Sequence, residues 1–85
     1  MNQTTNVRVM EKWIKKRKGF PAIVKGTPNL LRVKFDTLEN DLEEITWAKF
    51  FKTFKDNKLL FLYEDDDTSR FCKFIYKKNN TIDSN

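Results

Sequence analysis

Few residues of this 85-residue chain could do chemistry, and they are not arranged to do it. There is one cysteine, Cys72, and no histidine, so no imidazole is available to activate a serine or cysteine nucleophile. The usual ligand sets for zinc and haem are missing for the same reason. Cys72 lies between Phe71 and Phe74, which is typical of a buried and inert thiol. We therefore predict no catalytic residue, no metal ligand and no cofactor.

Two short segments have the composition of ligand-binding loops but not the spacing. The run from Glu64 to Asp67 offers carboxylates for a divalent cation, yet a calcium loop needs alternating ligands and a central glycine. A solvated turn beside Arg70 is the favoured interpretation. Gly26 is not part of a glycine-rich phosphate loop, because the only other glycine is Gly19 and no Lys-Ser/Thr pair follows. It is interpreted as a turn residue.

The charge of the chain is segregated along its length. Of 17 basic and 12 acidic residues, which give a net charge of +5, six basic residues and one acid lie between Arg8 and Lys18. Residues 36–44 hold five acids and no base. A uniformly basic nucleic-acid binder would not carry such runs, because they repel phosphates unless they face away. The polar N-terminus and short apolar runs predict no signal peptide, no membrane contact and a cytoplasmic protein.

Hydrophobic periodicity predicts two helices. Met10 and Trp13 recur at helical spacing within residues 6–18, and Gly19 is placed to end that helix in the left-handed conformation. Thr46 is the predicted cap of a second helix at residues 47–56, whose aromatic stripe includes Phe50. Asn57 is its predicted left-handed terminator. Both aromatic-rich stripes are expected to face the core.

The strand signals predict two β-hairpins. β-type runs at residues 22–25 and 30–35 flank a turn, and runs at 59–64 and 70–77 flank an acidic turn. Residues 36–44 are predicted to be an acidic connection with a short helical turn. The expected fold is α+β in the order α-β-β-α-β-β, with the two hairpins forming one sheet and two helices packed on it. Residues 6–77 form this single domain, between a flexible N-terminus (1–5) and a disordered tail (78–85).

The order and identity of many residues resemble a family of small uncharacterised bacterial proteins of about this length. The resemblance rests on Trp13-Ile14, Arg17, Gly19, Pro21-Ala22, Val24, Gly26-Thr27, Leu30-Leu31-Arg32, Phe35, Leu42-Glu43, Ile45, Trp47, Phe50-Phe51, Phe54, Asn57, Leu59, Phe61-Leu62-Tyr63, Asp65, Ser69-Arg70-Phe71 and Lys73-Phe74. Some members are labelled 1,4-α-glucan branching enzyme. Branching enzymes hold opposed carboxylates on a (β/α)₈ barrel of about 250 residues, so we reject that label for this chain. The resemblance implies no established activity.

The function predicted from these observations is that of a small non-catalytic binding module. A protein partner or a second copy of the chain is the leading expectation. Single-stranded nucleic-acid binding is one alternative, and a small ligand-binding protein or enzyme with an unseen cleft is another. If Leu31, Leu60 and Cys72 face the helices, strand alternation places cations and rings together on the other sheet face. The predicted binding surface consists of Lys25, Arg32, Lys34, Phe61, Tyr63, Arg70, Phe71 and Lys73.

Overall fold

The computed structural model describes residues 1–77, which form two helices and six strands. In chain order the elements are β1 (Asn2–Thr4), α1 (Val7–Lys16), β2 (Phe20–Val24), β3 (Leu31–Lys34), β4 (Leu42–Glu44), α2 (Trp47–Asp56), β5 (Leu59–Tyr63) and β6 (Cys72–Tyr76). The predicted tail at residues 78–85 lies outside the described residues.

Both helices begin at side-chain caps. The Asn6 carboxamide oxygen accepts hydrogen bonds from the backbone N–H groups of Arg8 and Val9, and the Thr46 hydroxyl accepts one from Lys49. The predicted range of α2 is confirmed. Within residues 1–77, neither helix has the length and apolar character that a membrane crossing requires.

The helix stops differ from the prediction. The left-handed residues that follow the two helices are Lys18 (φ 60°) and Lys58 (φ 53°), one residue away from the predicted Gly19 and Asn57. Gly19 is required for another reason. A Cβ atom on it would lie 2.7 Å from Val33 Cγ1 and 2.9 Å from Phe35 Cε1, so the backbone at the start of β2 packs directly on the side chains of the next strand.

The strands form two three-stranded antiparallel sheets, so the prediction of one sheet made from two hairpins is wrong. Sheet A has the order β1-β5-β6 and sheet B the order β3-β2-β4. Both predicted hairpins exist, but each lies in a different sheet. Two short polar strands account for the difference. β1, within the terminus predicted to be flexible, pairs with β5, and β4, within the predicted acidic connection, pairs with β2.

One core lies between both sheets and both helices. Its buried residues come from all of these elements: Met10, Trp13 and Ile14 of α1, Ile23 of β2, Leu31 and Val33 of β3, Phe50 and Phe54 of α2, and Leu59 and Phe61 of β5. Each sheet therefore has an inner face on this core and an outer face without a helix. On the outer face of sheet B lie Arg32, Lys34 and the half-exposed Phe20.

Phe50 is fully buried, and its ring makes edge contacts with Trp47 and Phe74. We predict that Phe50→Ala lowers the free energy of unfolding by about 3–5 kcal/mol, because the truncation leaves a cavity between α2 and sheet A. Phe20→Ala, the same change at a residue that is 49% exposed, is the matched control and should cost less than about 1 kcal/mol. Urea denaturation of both variants measures the difference. Similar losses for the two would show that the α2 stripe is not core.

Candidate binding groove between the two sheets

The edge strand of sheet B and the edge strand of sheet A face each other across a groove. β3 and β6 are each paired on one side only. The space between them is about 440 Å³ and is lined by Arg32, Val33, Phe35, Arg70, Cys72, Lys73, Phe74 and Ile75. This set of residues is called the β3–β6 groove.

The strand pairing directs backbone groups of both edges into the groove. Glu64 N–H donates to Phe71 C=O, and Lys77 N–H donates to Lys58 C=O. The alternation of an antiparallel ladder then turns the N–H and C=O groups of Cys72, Phe74 and Tyr76 away from β5. In β3, the bond from Val24 N–H to Leu30 C=O sets the same alternation. The backbone N–H and C=O groups of Leu31 and Val33 therefore point away from β2, toward the groove.

These edge groups do not pair with one another. Within residues 1–77, no backbone hydrogen bond joins β3 to β6. The Leu31 carbonyl instead accepts a bond of 2.9 Å from the Arg32 guanidinium. The groove therefore presents two strand edges whose remaining backbone donors and acceptors can bind an extended chain.

The groove has an apolar floor and a cationic rim. Val33, Cys72 and Phe74 alternate with Arg32 and Lys73 along the two strands, so the apolar side chains face inward and the cations outward. Arg70 places its guanidinium 5.1 Å from the centroid of the Phe35 ring and so links the two sheets at one end. Among the described residues, the lining holds three cations and no carboxylate, which favours an anionic ligand.

The structure brings together three of the eight predicted surface residues. Arg32, Arg70 and Lys73 line the groove. Phe71, immediately before β6, is 48% exposed. Lys34 shares the outer face with Arg32 but lies 3.8 Å from the Glu44 carboxylate, and Lys25 is exposed in the turn after β2.

The structure places Phe61 and Tyr63 on the inner face instead. Phe61 is completely buried, and its ring stacks with Tyr63 at 5.5 Å and tilts against Phe74 at 5.2 Å. The inner and outer sides of β5 are thus the reverse of the prediction, and Leu60 and Leu62 face outward. All five residues of β5 are apolar or aromatic, so alternation alone could not orient it. The pairing of Phe61 with Phe74 decides the orientation.

Arg17 was missed as a residue that shapes this site. It is 7% exposed, and its guanidinium donates to the carbonyl oxygens of Ser69 (2.6 Å) and Asp66 (2.7 Å), with longer bonds to Trp13 and Glu64. It also stacks 4.1 Å from the Trp13 ring. These bonds hold the loop that carries Arg70 into the groove. The sequence signal for this role was the position of Arg17 four residues after Trp13, which places it on the apolar stripe of α1.

The groove offers charge and hydrogen bonding but no acid–base pair. Burial raises the pKa of the Cys72 thiol to about 11, although Arg17 and Arg32 act in the opposite direction. The thiol is therefore neutral at ordinary pH. Comparison with protein families, with curated proteins and with solved structures found no match for this chain. The resemblance to small bacterial proteins stays a prediction.

The carbonyl bonds of Arg17 generate a stability prediction. Arg17→Lys should lower the free energy of unfolding by about 1–3 kcal/mol, because an ammonium group cannot bond all these carbonyls and leaves some unsatisfied. Arg8→Lys is the matched control, since the Arg8 side chain is 79% exposed, and it should change stability by less than about 0.5 kcal/mol. Urea denaturation compares them. Equal effects would mean that the carbonyl bonds contribute nothing beyond a surface arginine.

The raised pKa of Cys72 generates a reactivity prediction. At pH 9 about half of an ordinary thiol is ionised but only about 1% of a thiol with a pKa near 11, so iodoacetamide should alkylate the native protein about 50-fold more slowly than the urea-unfolded chain. The folded state favours the neutral thiol. The contribution of Cys72 to the free energy of unfolding is therefore complete below about pH 9 and is lost as the pH rises toward 11. Equal alkylation rates in the two states would contradict the burial of the sulfur.

Proposed function

We propose that this protein is a non-catalytic binding module whose β3–β6 groove binds an acidic, extended segment of a protein partner. The observation that carries the proposal is the pair of facing strand edges under a rim of three cations with no carboxylate. Main-chain bonds to a sheet edge supply affinity in strand addition, and the alternating side chains supply specificity. The groove suits that mode because its floor is apolar and its rim is cationic.

The alternation of an added strand defines the preferred sequence. Side chains that point inward would meet Val33 and Phe74, and those that point outward would meet Arg32 and Lys73. The bound segment should therefore alternate apolar and acidic residues. The Cα atoms of β3 and β6 approach within 8 Å, less than the roughly 9.5 Å between two strands that flank a third. The two edges must separate slightly when the segment enters.

The alternatives are less well supported by the geometry. Single-stranded nucleic-acid binding by the predicted surface relied on Phe61 and Tyr63 for base stacking, and Phe61 is fully buried while Tyr63 stacks on it from the inner face. For a small ligand-binding protein or enzyme, the described lining of this groove offers no carboxylate base, because its ionisable groups are cations and the neutral thiol of Cys72. A second copy of the chain remains a competing occupant, since it has acidic runs of its own.

Peptide titration tests the proposal. A fluorescent octapeptide of alternating glutamate and valine should bind the wild-type protein, and the matched lysine–valine octapeptide should not. The double variant Arg32→Glu with Lys73→Glu should weaken binding by about tenfold or more, because it reverses both rim charges. Lys25→Glu with Lys77→Glu, which makes the same charge change at exposed positions outside the groove, is the control and should bind normally.

Two further measurements make the test decisive. The same glutamate–valine octapeptide with N-methyl groups on alternate residues, whose N–H groups point to one side of the extended chain, should lose binding, because strand addition needs those N–H groups. Binding that is insensitive to both N-methylation and the rim variant, or no binding at low salt, would overturn the proposal. Elution of the wild type at twice its mass, with the rim variant eluting as a monomer, would assign the groove to a second copy instead.

A further inference from the structure

The two helices carry the whole net charge of the protein. Together α1 and α2 hold seven basic residues and two acids, a net +5, and the full chain also has a net charge of +5. The remainder of the sequence is therefore electrically balanced. The basic residues are all exposed, and they are Arg8, Lys12, Lys15, Lys16, Lys49, Lys52 and Lys55, called the helical face below.

Contacts between the helices show that these cations share one surface. The Arg8 guanidinium lies 5.8 Å from the Phe51 ring, and the Lys15 ammonium lies 5.7 Å from the Trp47 ring. The earlier residue of α1, Arg8, contacts the later residue of α2, Phe51, and Lys15 contacts the earlier Trp47. The helices α1 and α2 therefore lie side by side and antiparallel. The buried stripes point to the core, and helical periodicity places Lys12 opposite the stripe of α1, Lys52 opposite the stripe of α2, and the exposed Lys55 on the flank of α2.

The acids do not cancel this surface. Glu11 bonds Arg8 and Lys15, with its side chain only 17% exposed, Asp56 bonds Lys52 at 2.7 Å, and Asp67 of the loop after β5 bonds Lys16 at 2.9 Å. Among the described residues, Lys12, Lys49 and Lys55 have no carboxylate within ion-pair distance. Two acids of residues 36–44 are engaged elsewhere: Glu44 faces Lys34 in sheet B, and Glu39 accepts backbone bonds beside β3.

The chemistry of the face favours nucleic acid over a lipid surface. A helix that lies in a membrane interface inserts an apolar side, but the apolar sides of α1 and α2 are in the core. The large hydrophobic side chain that these helices do expose is Val9, at 39%, while Trp47 and Phe51 lie half-buried beneath cations. Because the face has cations and no exposed rings, it suits the phosphates of a duplex better than unstacked bases.

We infer that the helical face binds the phosphate backbone of nucleic-acid duplexes without reading their sequence. This site is separate from the β3–β6 groove and does not depend on the function proposed for it. Sequence-independent binding of this type has dissociation constants of about 10⁻⁶ to 10⁻⁴ M and depends steeply on salt, because each neutralised phosphate releases counterions.

Titration of a labelled random-sequence DNA duplex over a range of salt concentrations tests the inference. Lys12→Gln with Lys55→Gln keeps helix-forming side chains and removes two contacts, so the slope of log K against log salt should become shallower by about 2. The matched control, Lys25→Gln with Lys34→Gln, removes the same charge in and beside sheet B, outside the helices, and should leave the slope unchanged. Circular dichroism verifies that both variants are folded.

The remaining outcomes separate this site from the alternatives. The rim variant Arg32→Glu with Lys73→Glu should retain the salt dependence of the wild type, and loss of that dependence would move the site to the groove. Binding to vesicles of anionic phospholipid without binding to duplex would overturn the inference in favour of a membrane surface. So would the absence of duplex binding at low salt, or equal slopes for the helical and control variants.

Discussion

The hydrogen bonds of the Arg17 guanidinium fix the β5–β6 loop on α1, and the sheet A side of the groove depends on them. The guanidinium is a buried cation with no carboxylate of residues 1–77 within ion-pair distance, and carbonyl oxygens of α1 and of the β5–β6 loop, together with the Trp13 ring, offset its desolvation. The Trp13 indole donates to the Glu64 carbonyl at 2.7 Å, so two side chains one helical turn apart hold the same loop. That loop ends β5, begins β6 and carries Arg70. Trp13 and Arg17 of α1 therefore fix both the start of β6 and the position of Arg70 at the end of the groove.

The groove itself follows from how the strand edges are used. β2 and β5 are the central strands, and each has a hairpin partner on one side and a short polar strand on the other. Because β1 and β4 occupy the edges through which the hairpins could have joined, β3 and β6 are left facing each other. Gly19 allows β3 to pack against the end of α1, and Arg70 on Phe35 links the sheets without backbone bonds. The gap is thus a consequence of pairing elsewhere, and it retains the hydrogen-bonding capacity of both edges.

Local signals predicted those elements whose side chains differ sharply between faces. The Thr46 cap and the aromatic stripe were sufficient for α2, and the alternation of Leu31 and Val33 with Arg32 and Lys34 oriented β3 correctly. β5 carried no such contrast, so its orientation came from tertiary pairing with β6. β1 and β4 are only three residues long, with Leu42 as their single apolar residue, and they owe their strand conformation to the partner strand, which no local pattern reveals. Arg17 escaped attention as a site residue because a cation near a helix C-terminus is also expected from the helix dipole.

The cations of the helical face and those of the groove would bind their ligands differently, because their surroundings differ. The cations of the helical face are exposed, and the helix backbone beneath them is already hydrogen-bonded within each helix. Attraction to a polyanion there is therefore almost wholly electrostatic and is screened by salt. In the groove the cations stand beside unpaired strand edges and an apolar floor, where directional main-chain bonds and burial add to the charge. Groove binding should therefore outlast helical-face binding as ionic strength rises. Under the two proposals, a phosphate backbone would bind the helical face while an acidic peptide occupies the β3–β6 groove.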